Sequence, residues 1–353
     1  MLKLAKRAAK RMLSLLVNRR WFLRLLLPLL RQLVVSGPNQ NEALREGGQG
    51  ATESKGKIVE VIRGMFRTDS GAARSMLEEH GIILMRAHYY CPVPTAAEIG
   101  SSFEYEIDEP YGETVARIFD PDFLKEFLET LKPYSQEFSP LRQADPSNPI
   151  QFHWHNGVFS YCDAMTYYCM IRHVKPRHVL EVGSGFSSMV ALEALERNGD
   201  GELICIEPYP RPELRELGSR LRLLEQPAQE VKPEFFRSTL TDGDILFIDS
   251  SHVIKTGGDV PHLYLRVIPQ LPSKTYIHVH DIFLPDGYPK DWLTEHRYFY
   301  NEQYLLLAYL TDNPRAKVTW STYFHRKNNH ALLEEYMRGK GMVWGSSLWF
   351  QLN

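Results

Sequence analysis

Short apolar runs alternate with stretches of helical hydrophobic spacing through the second half of the chain. Strands that are buried on both faces of a sheet produce such continuous apolar runs. Strand alternating with helix predicts an α/β protein with a doubly wound parallel sheet. The five predicted parallel strands lie within 177–188, 201–208, 220–226, 242–252 and 275–285.

The first of these strands ends on a glycine-rich turn, Gly183-Ser184-Gly185. A glycine can take a positive φ and has no Cβ, so the turn can bring backbone N–H groups close to a ligand. Ser187 and Ser188 follow and open a helix, whose N-terminus suits a polar or anionic group. The dinucleotide fingerprint fits imperfectly, because Ser188 stands where that fingerprint has a third small residue.

Two acidic residues flank the turn. Glu181 precedes the first glycine, and its carboxylate could meet a cationic ligand such as the sulfonium and amine of S-adenosylmethionine. Glu207 ends the next strand, about twenty residues after the turn, where an acidic side chain can accept both hydroxyls of a ribose. Turn and carboxylates together predict a nucleoside site. A glycine turn that merely packs well is the alternative.

Four motifs resemble the class I S-adenosylmethionine-dependent methyltransferases, namely EVGSG (181–185), CIEP (205–208), DILFIDSSH (244–252) and IHVHDIFLP (277–285). The chain is most similar to bacterial methyltransferases that combine the last two motifs and whose substrates are mostly unassigned. The resemblance covers roughly residues 150–353. It implies a Rossmann-like seven-stranded sheet that 317–324 and 342–352 close as an antiparallel pair.

The resemblance also implies where S-adenosylmethionine binds. Adenine is expected near residues 226–229, and the ribose at the end of the second strand. The methionine part is expected at the glycine turn. The predicted cofactor-binding residues are Glu181, Gly183, Ser184, Gly185, Ser187, Glu207, Asp249 and Ser250.

Asp249 and Asp281 end two strands that are expected to be neighbours. Two carboxylates at one sheet edge can share a divalent cation such as Mg²⁺, which would lower the pKa of an acceptor hydroxyl. This arrangement resembles the catechol-type metal-dependent O-methyltransferases. His252 stands where that family has a catalytic lysine, and Ile282 replaces its third ligand, an amide. We predict Asp249 and Asp281 as metal ligands and, with His252 as general base, as the catalytic group.

Histidines near these aspartates allow metals other than Mg²⁺. His252, His278 and His280 could supply nitrogen, which would favour Zn²⁺, Mn²⁺ or Fe²⁺. Strand alternation places His278 and His280 on one face and Asp281 on the other. His280 and Asp281 can therefore share a pocket only if the strand ends between them. A core position is the simplest interpretation of His278.

Loops around the strand ends are candidates for the acceptor side. His153, His155 and Asn156 precede a helix predicted within 156–175 and are expected to approach the site. The loop 284–292 could act as a lid, with its Trp292 interpreted as a packing residue.

Residues 1–36 form a predicted basic amphipathic arm in which lysines and arginines are interleaved with leucines. The segment is too short and too charged for a spanning helix. It suits the surface of an anionic bilayer or a docking site on a partner protein. A targeting peptide is the other interpretation.

The remaining chain divides into a predicted flexible linker, 37–56, a mostly helical cap region, 57–150, and a methyltransferase domain, 151–353. The cap helices are predicted near 57–66, 71–80 and 122–132.

The composition of the chain bears on which classes of partner it binds and on its compartment. The formal net charge of −2 gives no argument for nucleic acid. The 4 cysteines form no C-x-x-C pair, which is typical of a reduced, cytoplasmic protein, here with a possible peripheral place at the membrane.

The predicted function is methyl transfer from S-adenosylmethionine to an oxygen of a small-molecule, sugar or lipid-linked acceptor. A metal-dependent hydroxylase or hydrolase on the same scaffold is the first alternative. A nicotinamide oxidoreductase and a non-catalytic nucleoside-binding module are further alternatives that rank below it.

Overall fold

The computed structural model describes Ser75, residues 77–159 and residues 161–353. Two compact units divide the chain, Met1–Pro92 and Val93–Asn353. The predicted arm, the linker and the first cap helix lie outside the described residues, so these three predictions stay untested. Within the described residues no helix is both long and apolar enough to cross a bilayer.

The second unit is built on a seven-stranded sheet. Its order is β3-β2-β1-β4-β5-β7-β6. Strands β1 to β5 pair in parallel, and β7 runs antiparallel to both of its neighbours. The prediction of a doubly wound, Rossmann-like sheet closed by an antiparallel pair is confirmed. The strands are β1 His178–Val182, β2 Glu202–Ile206, β3 Arg222–Leu224, β4 Ile245–Ile248, β5 Tyr276–Val279, β6 Ala316–Ser321 and β7 Leu348–Leu352.

Helices cover both faces of this sheet. One core lies between the sheet and α4, α5, α6 and α12, and the other between the sheet and α8, α9 and α10. The described α-helices are α1 Ala96–Gly100, α2 Phe103–Glu106, α3 Gly112–Val115, α4 Pro121–Ser135, α5 Tyr161–Val174, α6 Phe186–Asn198, α7 Pro212–Glu216, α8 Pro233–Thr239, α9 Asp259–His262, α10 Glu302–Leu310, α11 Thr322–Asn328 and α12 His330–Met337. A π-helical turn, Leu263–Val267, continues α9, and another, Trp292–His296, precedes α10.

Helix α4 shows how local sequence sets an element. Asp120 caps it by accepting a hydrogen bond from the Phe123 N–H, and Pro121 occupies its first turn. Its buried leucines recur at helical spacing. Leu128 and Leu131 pack in the core that contains α5, and Leu124 packs in the core on the other face of the sheet. The helix predicted at 122–132 is therefore confirmed. Residues 93–150 belong to the same compact unit as the sheet, and the predicted domain boundary at 150 stays a prediction.

Helix α5 begins later than predicted because its first residues form a turn. Asn156 accepts hydrogen bonds from the Val158 and Phe159 N–H groups, and its amide donates to two carbonyls. Such side-chain bonds compete with helix formation. Asn156 is thus a structural residue of the loop that precedes α5.

Candidate functional site

A cavity of about 380 Å³ lies at the carboxyl ends of β1, β2 and β4, and we call it the strand-end cavity. Parallel strands bring their carboxyl ends to one sheet edge, where α/β proteins bind ligands. The volume is within the range of small-molecule sites. Its lining includes Gly183, Glu207, Gln229, Asp249, Ser250 and Lys255.

Gly183 holds the turn after β1 against the end of β4. Its φ is 81°, and a Cβ at this position would lie 1.8 Å from the Asp249 carbonyl oxygen. The Gly183 N–H donates to Ile206, and the Asp249 N–H donates to Val182, so the three strand ends are tied together. Only glycine allows both the positive φ and this close approach. Gly185 differs, since its φ is 171° and a Cβ there would meet nothing within 4 Å.

Glu207 lies on the cavity as predicted. Its carboxylate accepts hydrogen bonds from the Ser184 N–H at 3.2 Å and the Tyr209 N–H at 2.8 Å. It therefore fixes the glycine turn to the end of β2 and still lines the cavity. The stretch predicted to meet adenine also lies here, because Pro227, Ala228 and Gln229 form part of the lining.

Glu181 does not line the strand-end cavity, which corrects its predicted contact with a cofactor. Its side chain is fully buried on the α5 side of β1. It accepts hydrogen bonds from the Tyr167 hydroxyl at 2.9 Å and from the Ser188 hydroxyl. Burial raises the pKa of Glu181 to about 7, although the hydrogen bonds from Ser188 and Tyr167 act in the opposite direction.

Ser188 connects Glu181 to the turn. Its oxygen also accepts a hydrogen bond from the Gly185 N–H at 3.2 Å. Glu181 thus braces the turn from behind, through Ser188. Ser187, which was predicted to bind the cofactor, is buried in the first turn of α6 and is not part of the cavity lining.

His252 lies between two carboxylates. Its Nδ1 is 2.8 Å from Glu302 Oε2, and its Nε2 is 3.1 Å from Asp249 Oδ1. Burial by itself would lower the pKa of His252, but the hydrogen bonds with Asp249 and Glu302 raise it to about 10. These two carboxylates favour the imidazolium form of the ring, and its predicted role as general base stays a prediction. Its position beside Asp249 is as predicted.

His280 and Asp281 point into one cavity because β5 ends at Val279. Asp281 has a φ of 56°, which breaks the strand alternation. Although burial alone would raise it, the charges of His280 and His252 hold the pKa of Asp249 well below its usual range. Conversely, Asp281 and Asp249 raise the pKa of His280 against the effect of burial.

The Asp249, His280 and Asp281 side chains each offer one ligand atom within 4.8 Å of the others. This donor set fits a divalent cation in distance and in chemistry. It contains both predicted metal ligands. Ile282, which replaces the amide of the catechol-type family, is buried in the core and offers no ligand.

His278 is a core residue, as its simplest interpretation predicted. Its Nε2 is 2.7 Å from the Ser347 hydroxyl, and its ring stacks on Trp349 with centroids 4.1 Å apart. Burial lowers the pKa of His278 well below its usual value. The ring is therefore neutral and takes no part in the site.

A second cavity, of about 680 Å³, opens on the other side of His280, and we call it the aromatic cavity. Three separate segments supply its walls, before and at the start of α5, after β5 and before β7. His155 lines it, as predicted for the loop before α5, while His153 does not. Its aromatic lining residues are Trp154, Tyr161, Phe283, Trp292, Tyr298, Tyr300 and Trp344.

Sequence reasoning missed most of this wall. Trp292 was interpreted as a packing residue but lines the cavity, and Tyr298 and Trp344 were not considered. A signal was present in the aromatic residues concentrated between 292 and 300. The lid predicted for 284–292 stays a prediction. Its Tyr288 is buried, and its carbonyl accepts a hydrogen bond from Tyr105.

The two cavities adjoin where Asp249 lies beside His280 and Asp281. Asp249 lines the strand-end cavity, and His280 lines the aromatic cavity. His280 Nδ1 lies 3.3 Å from Asp249 Oδ1. A group bound in one cavity would thus lie next to a group bound in the other.

The chain is similar to known proteins in part of its sequence and in its fold. A family model described as a methyltransferase domain matches residues 180–282. An uncharacterized protein of Archaeoglobus fulgidus is 29% identical over 191 residues, which is 52% of this chain and 82% of that protein.

Two solved structures are also similar. An SAH-bound methyltransferase from Podospora anserina is 19% identical with a TM-score of 0.37, over 74% of this chain and 98% of that one. An O-methyltransferase from Bacillus cereus in complex with SAH is 13% identical with a TM-score of 0.33, over 67% and 93%. The family model and the strand order of the sheet together confirm the resemblance to the class I methyltransferase superfamily.

Proposed function

We propose that this protein transfers a methyl group from S-adenosylmethionine to an oxygen atom of a small-molecule, sugar or lipid-linked acceptor. One observation carries the proposal. A polar cavity at the strand ends and an aromatic cavity adjoin at Asp249 and His280, whose side chains are 3.3 Å apart. Two adjoining cavities suit a donor and an acceptor that react at their contact.

The strand-end cavity fits the donor. Glu207 would accept the ribose hydroxyls, and the lining at Pro227 and Gln229 would face adenine. The turn at Gly183 would bring backbone N–H groups to the amino-acid end. When bound, the sulfonium cofactor supplies an electrophilic methyl group.

The aromatic cavity fits the acceptor. Its aromatic side chains offer flat apolar surfaces that orient a ring or chain and exclude water. The carboxylate of Asp281 and the ring of His280 lie at the inner end of this cavity. They can accept or donate a hydrogen bond to an acceptor hydroxyl and so fix its oxygen toward the donor. An oxygen acceptor is therefore favoured.

The chemistry of the lining also indicates which acceptors are disfavoured. The described lining of the aromatic cavity contains Asp163 and Asp281 but no lysine or arginine. An acceptor with a phosphate or carboxylate at this depth would face these two acids, with the His280 ring as the cationic group of the described lining beside them. The lining therefore favours an uncharged acceptor.

Titration calorimetry tests the donor half of the proposal. We expect the full chain to bind S-adenosylhomocysteine and not NAD. Glu207→Gln should weaken that binding about tenfold, since it removes a charged hydrogen-bond acceptor. Glu225→Gln is the matched control, because Glu225 pairs with Arg215 on an exposed surface.

Labelled methyl transfer to cell extracts tests the acceptor half. The expected product carries the label on oxygen, in a compound without a charged group near the methylated position. Binding of NAD with no binding of S-adenosylhomocysteine would overturn the proposal in favour of an oxidoreductase. Binding of the nucleoside without any transfer would favour a non-catalytic module.

A further inference from the structure

His280 lies among three carboxylates but pairs cleanly with none of them through Nδ1. Its Nε2 is 3.3 Å from Asp163 Oδ2, and its Nδ1 is 3.3 Å from Asp249 Oδ1 and 3.5 Å from Asp281 Oδ1. The side chain is 8% exposed. Nδ1 forms no hydrogen bond of normal geometry with any described residue. A buried ring nitrogen of this kind needs another partner.

The backbone aims both His280 and Asp281 at the same point. The His280 N–H donates to the Ile248 carbonyl, which ties the end of β5 to the end of β4. The positive φ of Asp281 then turns its carboxylate toward the His280 ring. The Ser346 hydroxyl donates to Asp281 Oδ1 at 3.1 Å and holds it there.

Asp163 is fixed even more firmly. Its carboxylate accepts hydrogen bonds from the Ser346 and Ser347 N–H groups at 2.8 and 2.9 Å, and from the Thr322 hydroxyl. A Cβ at Gly345 would lie 2.4 Å from Asp163 Oδ1, so the loop before β7 closes directly over this carboxylate. When the His280 ring is neutral, a carboxylate facing Nε2 favours the tautomer with its proton on Nε2. The Nδ1 lone pair is then directed at Asp249 and Asp281.

We propose that Asp249, His280 and Asp281 bind a divalent transition metal, with His280 Nδ1 as a ligand and Asp163 as the residue that positions His280. The three ligand atoms lie within 4.8 Å of one another. One imidazole and two carboxylates favour Mn²⁺, Fe²⁺ or Zn²⁺ over Mg²⁺. Carboxylates that hold the second nitrogen of a metal-binding histidine are a common supporting arrangement.

This site deepens the proposed function, on which it rests, because the metal would lie where the two cavities meet. A cation there lowers the pKa of a coordinated hydroxyl. The alternative is a permanent ion-pair cluster, in which His280 stays an imidazolium and no metal is needed. The two differ in what the ring nitrogen contacts, which spectroscopy can detect without turnover.

Electron paramagnetic resonance of the metal-stripped full chain tests the proposal. Titration with Mn²⁺ should show one bound ion per chain, and Mg²⁺ should displace it only at an excess of at least about tenfold. Pulsed measurements should detect a nitrogen coupling from a directly bound imidazole. Absence of a bound ion, or a bound ion without nitrogen coupling, would overturn the proposal.

Substitutions then assign the ligand and its support. His280→Gln should abolish the nitrogen coupling and the preference for Mn²⁺ over Mg²⁺. Asp163→Asn should weaken Mn²⁺ binding about 10–100-fold. The controls are His330→Gln and Asp312→Asn, two exposed positions in the same unit that should change neither measurement.

The outcomes separate this inference from the proposed function. If the natural chain binds S-adenosylhomocysteine but binds no metal ion, the metal site alone is overturned. If the natural chain does not bind S-adenosylhomocysteine, the proposed function is overturned. If a variant fails to fold, the nitrogen coupling of the natural chain still decides, since it needs no substitution.

Discussion

The strand-end cavity and the aromatic cavity are built in different ways. The first is formed largely by backbone and by side chains at the ends of four neighbouring parallel strands, β3, β2, β1 and β4, or in the short segments that follow them. The second is formed by aromatic side chains from three loops that are far apart in the sequence. If the first cavity binds the donor and the second the acceptor, as proposed, the donor site follows from the fold, whereas the acceptor site depends on loops that each chain can vary.

The cavities also differ in the charges beside them. The strand-end cavity has Lys255 in its lining together with acids, while the described lining of the aromatic cavity combines acids with histidines. Changes in one cavity should therefore leave the other intact, with Asp249 as the exception that serves both. The following variants test that separation.

Gly183→Ala should have the largest effect, because it disrupts the turn that the strand-end cavity is built on. The added Cβ would lie 1.8 Å from the Asp249 carbonyl oxygen, at a φ of 81°. We expect the free energy of unfolding to fall by about 4 kcal/mol and nucleoside binding to be lost. Urea unfolding measures the first and calorimetry the second.

Gly185→Ala is the matched control, because a Cβ there meets no atom within 4 Å. Its free energy of unfolding should change by no more than about 0.5 kcal/mol. Equal losses of stability in the two variants would contradict the role given to the Gly183 contact.

Glu181→Gln tests whether the buried carboxylate behind the glycine turn affects only the stability of the core or also ligand binding in the strand-end cavity. The folded pKa of Glu181, about 7, is raised above its usual 4.5, so the folded natural chain keeps a proton that the unfolded chain releases between these values. Its stability should therefore fall as pH rises through this window. The variant lacks this titrating group, so its free energy of unfolding should rise by about 2.5 kcal/mol relative to that of the natural chain between pH 5 and pH 8.

Urea unfolding at the two pH values measures this difference. Affinity for S-adenosylhomocysteine should be unchanged in Glu181→Gln, since the carboxylate does not line the cavity. Loss of that affinity would show that Glu181 contributes to the cofactor site and would contradict the independence of core and cavity.

Asp281→Asn should affect only the acceptor side. The carboxylate lines the aromatic cavity and is 3.5 Å from His280. We expect the rate of labelled methyl transfer to fall about 100-fold, with the affinity for S-adenosylhomocysteine unchanged. Glu207→Gln should give the opposite result, weaker nucleoside binding with an unchanged half-saturating acceptor concentration. If any variant changes both measurements equally, the two cavities act as one functional unit.

Trp344→Ala should have the smallest effect. The ring is 53% exposed and forms part of the wall of the aromatic cavity. Loss of one stacking surface costs about 1 kcal/mol, so the half-saturating acceptor concentration should rise about fivefold at an unchanged maximal rate. Leu265→Ala, at a side chain that is 65% exposed and outside both cavities, is the control. An unchanged acceptor dependence in Trp344→Ala would exclude this wall from acceptor binding.

The sequence was most informative where function depends on backbone. Gly183, Glu207 and Asp249 were predicted at one edge because hydrophobic periodicity locates strand ends, and parallel strand ends meet. Glu181 was assigned to the wrong side because its strand alternates, and the pattern does not tell which face of β1 carries a polar side chain inward. The hydroxyls that hold it, from Tyr167 and Ser188, belong to two different helices.

The aromatic cavity could not be predicted in the same way. Tryptophan and tyrosine line cavities and fill cores alike, so Trp292 and Trp344 carry no signal until their loops converge. The pairing of His252 with Glu302 likewise joins residues that are 50 positions apart. Only the end of β5 at Val279, which the sequence left conditional, brought His280 and Asp281 together.

The contact between Gly183 and the Asp249 carbonyl has a practical consequence for engineering. It joins the donor turn to the reacting edge through main chain alone, whereas the aromatic walls are attached to the sheet by loops. Exchange of the segments 292–300 and 342–346 between related chains should transplant acceptor choice onto an unaltered donor platform. On the proposed function, acceptor selectivity would be modular, whereas the geometry of the strand ends would not.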